Sequence, residues 1–265
     1  MMGKDLFCLK GKSVVITGGT SYLGVAMVDC LAQYGADIYM LCRSKEKSLK
    51  LAEDLKQNYK NLICETIECD IGNRKSVENA IIHTLNISGK IDVLINNAAF
   101  YSDVMPFEKC SDENWLRGID GTINSVRLMS QIVINQMLKQ KKGSIINIGS
   151  MYGVVSPDMR IYGDSGENNP ASYGAGKAAV IQLTRYLACT YGNNGIRVNA
   201  VSPGPFPQME VQQNTDFINN LEKKNPMGRI GRPDDLKGII VLLASDASSY
   251  INGQNIMVDG GWTVW

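Results

Sequence analysis

A phenol and an ammonium group, those of Tyr173 and Lys177, lie four residues apart in the sequence. Residues with this spacing share one face of an α-helix, and the stretch Ser172 to Tyr191 has a helical pattern. A cation beside a phenol favours the phenolate, so we expect Lys177 to lower the pKa of Tyr173 from its ordinary value of about 10. Such a phenol can serve as a general acid or base. Because this spacing is also common by chance, the elements around the pair must decide its meaning.

Short apolar runs rich in β-branched residues alternate with longer helical patterns along the chain. The strand candidates are Ser13 to Ile16, Asp37 to Leu41, Leu62 to Glu68, Ile91 to Ile95, Gly143 to Ile148, Ile196 to Val201 and Asn255 to Val258. The helix candidates are Leu23 to Tyr34, Lys45 to Tyr59, Asn73 to Leu85, Asp112 to Lys139, Ser172 to Tyr191 and Asp234 to Ala244. This alternation predicts an α/β fold, with a doubly wound, parallel, seven-stranded sheet and helices on both faces.

Composition limits the possible partners and the number of domains. With 265 residues and 44% hydrophobic content, the chain can bury one large core, and we expect a single domain over residues 1–265. The 27 Lys and Arg nearly balance the 26 Asp and Glu, which disfavours nucleic acid or an anionic membrane and favours a small-molecule partner. No apolar run is long enough to span a bilayer and the N-terminus lacks the core of a signal peptide, so we expect a cytoplasmic protein.

The seven cysteines and the single histidine indicate neither a disulfide framework nor a metal site. The cysteines are odd in number and scattered without paired spacing, which is typical of inert or buried thiols. One histidine, His83, cannot build a multi-histidine site.

A glycine-rich turn follows the first strand candidate. Residues 17–24 read Thr-Gly-Gly-Thr-Ser-Tyr-Leu-Gly and lead into an apolar helix. Glycines at such a turn let a pyrophosphate approach the backbone and the N–H groups at the start of the helix. We therefore predict a Rossmann-type dinucleotide site, formed here by Gly18, Thr20, Ser21, Tyr22, Leu23 and Gly24. The alternative is that the turn only packs a helix against the sheet.

The end of the second strand candidate bears on the choice of cofactor. A carboxylate at this place accepts the ribose hydroxyls of NAD and repels the 2′-phosphate of NADP. The sequence has no carboxylate there and instead has Arg43, Ser44 and Lys45. Arg43 could pair with a 2′-phosphate and Ser44 could donate to it, so we expect NADP(H) to be preferred, with NAD(H) possible. In the alternative, Arg43 and Lys45 are solvated residues at the start of a helix.

These motifs together resemble the short-chain dehydrogenase/reductase family, in its compact one-domain branch, over nearly the whole chain. The glycine turn matches at Thr17, Gly18 and Gly24, with Tyr22 in place of the middle glycine. Other resemblances follow in the family's order: Asn96-Asn97-Ala98-Ala99 after the fourth strand, Pro203-Gly204, and Asp259-Gly260-Gly261. The resemblance implies that the cofactor is further bound by Asp70 and Ile71 at the adenine, by Asn97 and Ala98, and by Pro203 and Gly204 at the nicotinamide.

The resemblance also implies roles in catalysis. Tyr173 would be the general acid for ketone reduction and the base for alcohol oxidation, and Ser150 would hold the substrate oxygen. Lys177 would, in addition, bind the ribose hydroxyls of the nicotinamide, and the positive charge of the oxidised nicotinamide would add to the expected lowering of the Tyr173 pKa. Thr122 stands where the family often has an asparagine that helps hold a water in the proton path, and its single hydroxyl would alter that relay.

Two long irregular segments are candidates for shaping a substrate pocket. Residues 154–171 would form an active-site loop and residues 205–233 a substrate lid, because long irregular segments in compact domains are usually functional. The separation between Ser150 and Tyr173 exceeds that of most compact members. The extra residues could bring Arg160 and Tyr162, together with Asp164 and Glu167, to a polar substrate. The alternative is a surface insertion without function.

The expected activity is hydride transfer between NADP(H) and the ketone or secondary alcohol of a small polar substrate. A faint resemblance to members in bacterial sugar and glycan metabolism suggests a sugar-derived compound. One alternative is a 3-oxoacyl thioester reductase; another is a cofactor-binding regulatory protein with reduced turnover, suggested by Tyr22 and Thr122. The resemblance further implies a homo-oligomer, a tetramer or a dimer, formed through the helices at 112–139 and 172–191.

Overall fold

The computed structural model describes residues 5–60, 62–163 and 168–265, and in them seven strands form one parallel sheet. The strands are β1 Ser13–Thr17, β2 Asp37–Cys42, β3 Cys64–Glu68, β4 Val93–Asn96, β5 Gly143–Ile148, β6 Ile196–Pro203 and β7 Asn255–Val258. The helices are α1 Tyr22–Gln33, α2 Lys45–Asn58, α3 Arg74–Ser88, α4 Asp112–Ile119, α5 Ser125–Gln140, α6 Ala171–Tyr191, α7 Thr215–Lys223 and α8 Lys237–Ala244.

The strand order is β3-β2-β1-β4-β5-β6-β7, so the direction of winding reverses between β1 and β4. Ile16 in β1 lies beside Met40 of β2 on one side and Ile95 of β4 on the other. Ligands of open α/β sheets bind at the carboxyl ends of the strands next to such a reversal. The topology therefore brings the loops after β1 and β4 together at the predicted dinucleotide site.

Helices cover both faces of the sheet. One apolar cluster joins the sheet to α1, α2 and α8 through residues such as Leu31, Leu55 and Ile240. The second joins it to α3, α5 and α6. Every residue of β1 and of β5 is buried, as expected for strands covered on both sides. The predicted fold class, a doubly wound seven-stranded Rossmann-type sheet in a single domain, is confirmed. Across the described residues, every helix lacks the length or the apolar character needed to span a bilayer.

Residues 112–139 are helical throughout, as predicted, but not uniformly α-helical. A wider, π-helical turn at Asp120–Asn124 separates α4 from α5. The Thr122 hydroxyl donates to the carbonyl of Gly118 at 2.7 Å, and the Ser125 hydroxyl donates to that of Gly121 at 3.2 Å. Side-chain hydroxyls thus satisfy backbone carbonyls at the irregular turn.

The segment predicted to be an irregular lid contains a helix that the sequence analysis missed, α7. Its Phe217 stacks on Tyr162 at a centroid distance of 5.6 Å; Tyr162 belongs to the predicted active-site loop at 154–171, which we call the insertion. Asn220 donates to the carbonyl of Ile161, and Lys224 pairs with Asp158. A third apolar cluster, which also includes Trp262, lies between the two segments. The insertion and α7 therefore pack together as one unit.

Candidate active site

A cavity of about 560 Å³ opens at the carboxyl ends of the strands. Fifteen of the predicted site residues line it: Gly18, Thr20, Ser21, Tyr22, Leu23, Arg43, Ser44, Ile71, Asn97, Ala98, Ser150, Tyr173, Lys177, Pro203 and Gly204. The cavity runs from the turn after β1 to the ends of β5 and β6, so it is long enough to hold an extended ligand.

The turn after β1 keeps the geometry of a pyrophosphate cradle despite Tyr22. Gly18 has a φ of 66°, in the left-handed region that favours glycine, and a Cβ on Gly24 would collide with the carbonyl oxygen of Gly18. The Ser21 hydroxyl caps α1 by accepting from the amide of Gly24. The side-chain amide of Asn97 donates to the Gly18 carbonyl at 2.8 Å and so joins the loop after β4 to the turn. The residues present therefore fit a dinucleotide at this helix N-terminus.

The wall of the cavity carries cations and no carboxylate among its described residues. Arg43 lies at the end of β2, and Lys47 lies one turn further on, in α2. Ser44 caps α2 without a side-chain hydrogen bond to the helix. Lys45 does not line the cavity and lies 3.9 Å from Glu68. The sequence analysis missed Lys47, although its spacing of four from Arg43 was an available signal.

The predicted catalytic groups meet at the other end of the cavity. Lys177 follows Tyr173 by one turn of α6, and its Nζ lies 5.7 Å from the centre of the Tyr173 ring. That Nζ donates to the carbonyl of Ile148 at 2.6 Å, at the end of β5. Ser150 comes two residues after β5 and hydrogen-bonds Tyr173. Tyr101 packs edge-on against Tyr173, with ring centres 5.5 Å apart.

Burial dominates the electrostatics of this group. It raises the pKa of Tyr173 above its ordinary value, and the hydrogen bond from Ser150 only partly opposes this. The expected lowering of the Tyr173 pKa by Lys177 was therefore wrong for the protein by itself. Burial also lowers the pKa of Lys177, to about 8. Desolvation favours the neutral form of both groups.

Comparison with known proteins decides the family. A family model described as enoyl-(acyl carrier protein) reductase, adh_short_C2, matches residues 19–263. The chain belongs to the short-chain dehydrogenase/reductase family. It is accordingly an NAD(P)-dependent oxidoreductase that acts between a secondary alcohol and a ketone.

Relatives in this family differ in substrate and in cofactor. The 3-oxoacyl-(acyl-carrier-protein) reductase of Thermotoga maritima is 33% identical over 97% of this chain and 99% of its own. The crystal structure of a gluconate 5-dehydrogenase from Burkholderia cenocepacia, in complex with NADP and tartrate, is 30% identical with a TM-score of 0.88, covering 98% of each chain. A Leptospira borgpetersenii short-chain dehydrogenase with bound NAD⁺ is 34% identical with a TM-score of 0.85, covering 100% of this chain and 98% of that one.

Several residues that the family resemblance suggested do not line the cavity. Gly24 lies behind the turn, and Asp70 is exposed, with its carboxylate accepting from the Gly72 amide at 2.9 Å. Thr122 is buried, and its hydroxyl donates to a carbonyl of its own helix, so its role in a proton path stays a prediction.

The insertion residues predicted to contact substrate also lie away from the cavity wall. The Arg160 guanidinium pairs with Asp158, and the Tyr162 hydroxyl lies 3.0 Å from that of Tyr152. Asp164 and Glu167 fall outside the described residues. The substrate roles of these residues stay predictions.

The sequence analysis also missed Tyr101, which packs against Tyr173, and Phe206 and Gln208 elsewhere on the cavity wall. Tyr101 follows the Asn-Asn-Ala-Ala motif by two residues, so its nearness to that motif was a signal. Phe206 and Gln208 lie inside the segment predicted to be a lid, but nothing in their types distinguished them from their neighbours.

Proposed function

We propose that this chain transfers a hydride between NADP(H) and the ketone or secondary alcohol of a small polar substrate, such as a sugar-derived compound. The observation that carries the proposal is one cavity with Tyr173, Ser150 and Lys177 at one end and the Arg43–Lys47 pair at the other. When bound, the dinucleotide supplies or accepts the hydride.

The side chains of this protein would handle the proton and the orientation of the substrate. Ser150 would donate a hydrogen bond to the substrate oxygen, and Tyr173 would give that oxygen its proton during reduction. In the reverse direction, Tyr173 would take the proton from the alcohol. Lys177 lies beside the phenol, and its positive charge would stabilise the phenolate left after proton transfer.

Preference for NADP(H) is supported by the charges near the adenosine end. The 2′-phosphate would lie near Arg43 and Lys47, where the described wall has no carboxylate to repel it. The Ser44 hydroxyl could donate to the same phosphate because it makes no capping hydrogen bond to α2.

A small polar substrate is supported by the groups around Tyr173. Tyr101 packs against Tyr173, and Gln208 lines the same cavity, so both offer polar groups that could bind substrate hydroxyls. The complex of the Burkholderia cenocepacia relative with tartrate supports the same class. A 3-oxoacyl thioester is the second candidate, favoured by the similarity to the Thermotoga maritima reductase.

The test is to incubate the purified protein with NADPH and with panels of keto sugars, keto acids and 3-oxoacyl thioesters, following the absorbance of NADPH. We expect oxidation with a polar ketone. Turnover confined to the thioesters would replace the substrate class, and binding of NADPH without oxidation by any ketone would contradict the proposal.

We also propose that the protein is a cytoplasmic homo-oligomer, a dimer or a tetramer. Exposed apolar side chains on the helices expected to mediate assembly support this, among them Leu116 on α4 and Tyr186 on α6. Light scattering on the purified protein measures the number of subunits, and a monomeric mass would contradict the proposal.

A further inference from the structure

The tyrosine that replaces a glycine in the turn contacts the other side of the cavity. Tyr22 is the first residue of α1, and its hydroxyl accepts a hydrogen bond from Gln212 Nε2 at 3.0 Å. The two residues are 190 positions apart in the chain. Tyr22, which stands where the family has a glycine, therefore contacts the part of the chain that follows β6.

The chain after β6 is folded into a compact segment, residues 205–213, which we call the strap. Gln212 also donates from Nε2 to the carbonyl of Pro207 at 2.9 Å, and its amide donates to the carbonyl of Gln208 at 3.1 Å. The two hydrogens of one side-chain amide can serve both acceptors, Tyr22 and Pro207. Gln212 therefore holds the strap in its folded form and fastens it to the turn.

The two ends of this contact are anchored differently. On one side, Tyr22 belongs to the turn that Ser21 and Asn97 hold rigidly to the sheet. On the other side, the strap is fixed at its start, where the Gly231 amide donates to the Pro205 carbonyl at 2.9 Å. At its far end, Val211 packs against the third apolar cluster, and the contact with Tyr22 joins this end of the strap to the turn.

The cavity passes between the two sides of this contact. Tyr22 lines it from the turn, and Phe206 and Gln208 line it from the strap. A dinucleotide whose pyrophosphate meets the N-terminus of α1 would lie in this part of the cavity. The strap and the turn therefore both border the place where such a dinucleotide would lie.

We propose that the Tyr22–Gln212 hydrogen bond is a tether that holds the strap across the bound dinucleotide and slows its release. The proposal rests on the proposed function, because it requires a dinucleotide in this cavity. Tyr22 is a positioning residue here and takes no part in the hydride or proton transfer.

The experiment measures the rate at which NADPH leaves the protein. NADPH-loaded protein is mixed rapidly with excess NADP⁺, and the fluorescence of the bound NADPH is followed. Tyr22→Phe keeps the ring and removes the hydroxyl, and Gln212→Leu removes the donor at similar volume. Loss of one neutral hydrogen bond should speed release about fivefold in Tyr22→Phe.

The double variant and a control separate a tether from a general disturbance. If the two side chains act through one bond, Tyr22→Phe with Gln212→Leu should release NADPH no faster than Gln212→Leu alone. Tyr34→Phe makes the same chemical change at the other end of α1 and should release NADPH at the wild-type rate. Hydrogen exchange at residues 207–213 should quicken in Tyr22→Phe and stay unchanged in Tyr34→Phe.

The outcomes distinguish this inference from the proposed function. Wild-type release rates in Tyr22→Phe, or independent effects that multiply in the double variant, would overturn the tether while leaving the proposed function intact. If wild-type protein binds NADH instead of NADPH, the same measurement is made with NADH, since both share the pyrophosphate. If it binds neither, the proposed function and the tether both fail.

Discussion

At the scale of single residues, the site is governed by the burial of two ionisable groups. Burial raises the pKa of Tyr173, so the phenol keeps its proton at neutral pH. Lys177 is only 5% exposed, and burial lowers its pKa to about 8. A protonated phenol beside a cation suits the protein to donate a proton to a ketone, and the reverse reaction should gain from higher pH.

The lowered pKa of Lys177 predicts the pH dependence of ketone reduction. As the pH rises through about 8, the ammonium loses its charge and no longer stabilises the phenolate, so kcat/KM should fall. The measurement is kcat/KM for NADPH-dependent reduction across the alkaline range. A value that stays constant until the pH nears the ordinary lysine pKa, about 10.4, would contradict this view of Lys177.

The Arg43–Lys47 pair predicts the choice of cofactor. Replacing both residues by alanine removes two charged partners of a 2′-phosphate and should weaken NADPH binding by about 10- to 100-fold, with NADH binding nearly unchanged. Titration of each dinucleotide by fluorescence measures this. Lys45→Ala is the matched control, because Lys45 lies outside the cavity wall. Equal weakening of NADPH and NADH would place the 2′-phosphate elsewhere.

At the scale of elements, the sequence predicted what local patterns determine. The alternation of apolar runs located all seven strands to within a few residues, and β5 and β7 with the observed bounds. The glycine turn and the Tyr173–Lys177 pair were recognisable because their spacing is itself the signal. Lys47 was missed because it lies in the first turn of α2, beyond the strand end from which the cofactor preference was predicted.

Features that depend on contacts between distant segments could not be predicted. The turn at Asp120–Asn124 interrupts a pattern that is locally helical throughout, and Thr122 packs there against Gly176 of α6. Helix α7 has only two buried apolar residues, Phe217 and Leu221, and its stability depends on the insertion packed against it. Neither partner is visible in the neighbouring sequence.

The packing of Thr122 on Gly176 predicts the effect of one added methyl group. A Cβ at Gly176 would collide with the Thr122 hydroxyl, so Gly176→Ala should lower the free energy of unfolding by about 1–3 kcal/mol and move Lys177. Denaturant unfolding measures this. Gly238→Ala in α8 is the control: a Cβ there meets no atom within 4 Å, so its stability should be unchanged or slightly higher. Equal stability of Gly176→Ala and wild type would contradict the close contact.

At the scale of the whole molecule, three apolar clusters hold the helices and the insertion in place. Two of them hold the helices on the faces of the sheet and so fix the strand ends that carry the site. The third joins the insertion, α7 and Trp262 into a unit beside the cavity. Arg160 and Lys224 both pair with Asp158 within this unit and hold the pKa of that carboxyl below its ordinary range.

A dinucleotide that binds only the folded protein should stabilise the whole molecule. At a free NADPH concentration 100 times its Kd, the free energy of unfolding should rise by about 2.7 kcal/mol. Thermal unfolding with increasing NADPH measures this, and NADH at equal concentration should raise the Tm less. An unchanged Tm with both dinucleotides would mean that the turn after β1 only packs a helix.

The central claim is that Tyr173 transfers the proton while the cavity binds the dinucleotide. The most direct test is Tyr173→Phe, measured for NADPH binding by fluorescence and for NADPH oxidation with the substrate that the wild type reduces. We predict binding within about twofold of wild type and a loss of turnover of about 10²- to 10⁴-fold. Turnover at the wild-type rate in Tyr173→Phe would contradict the account.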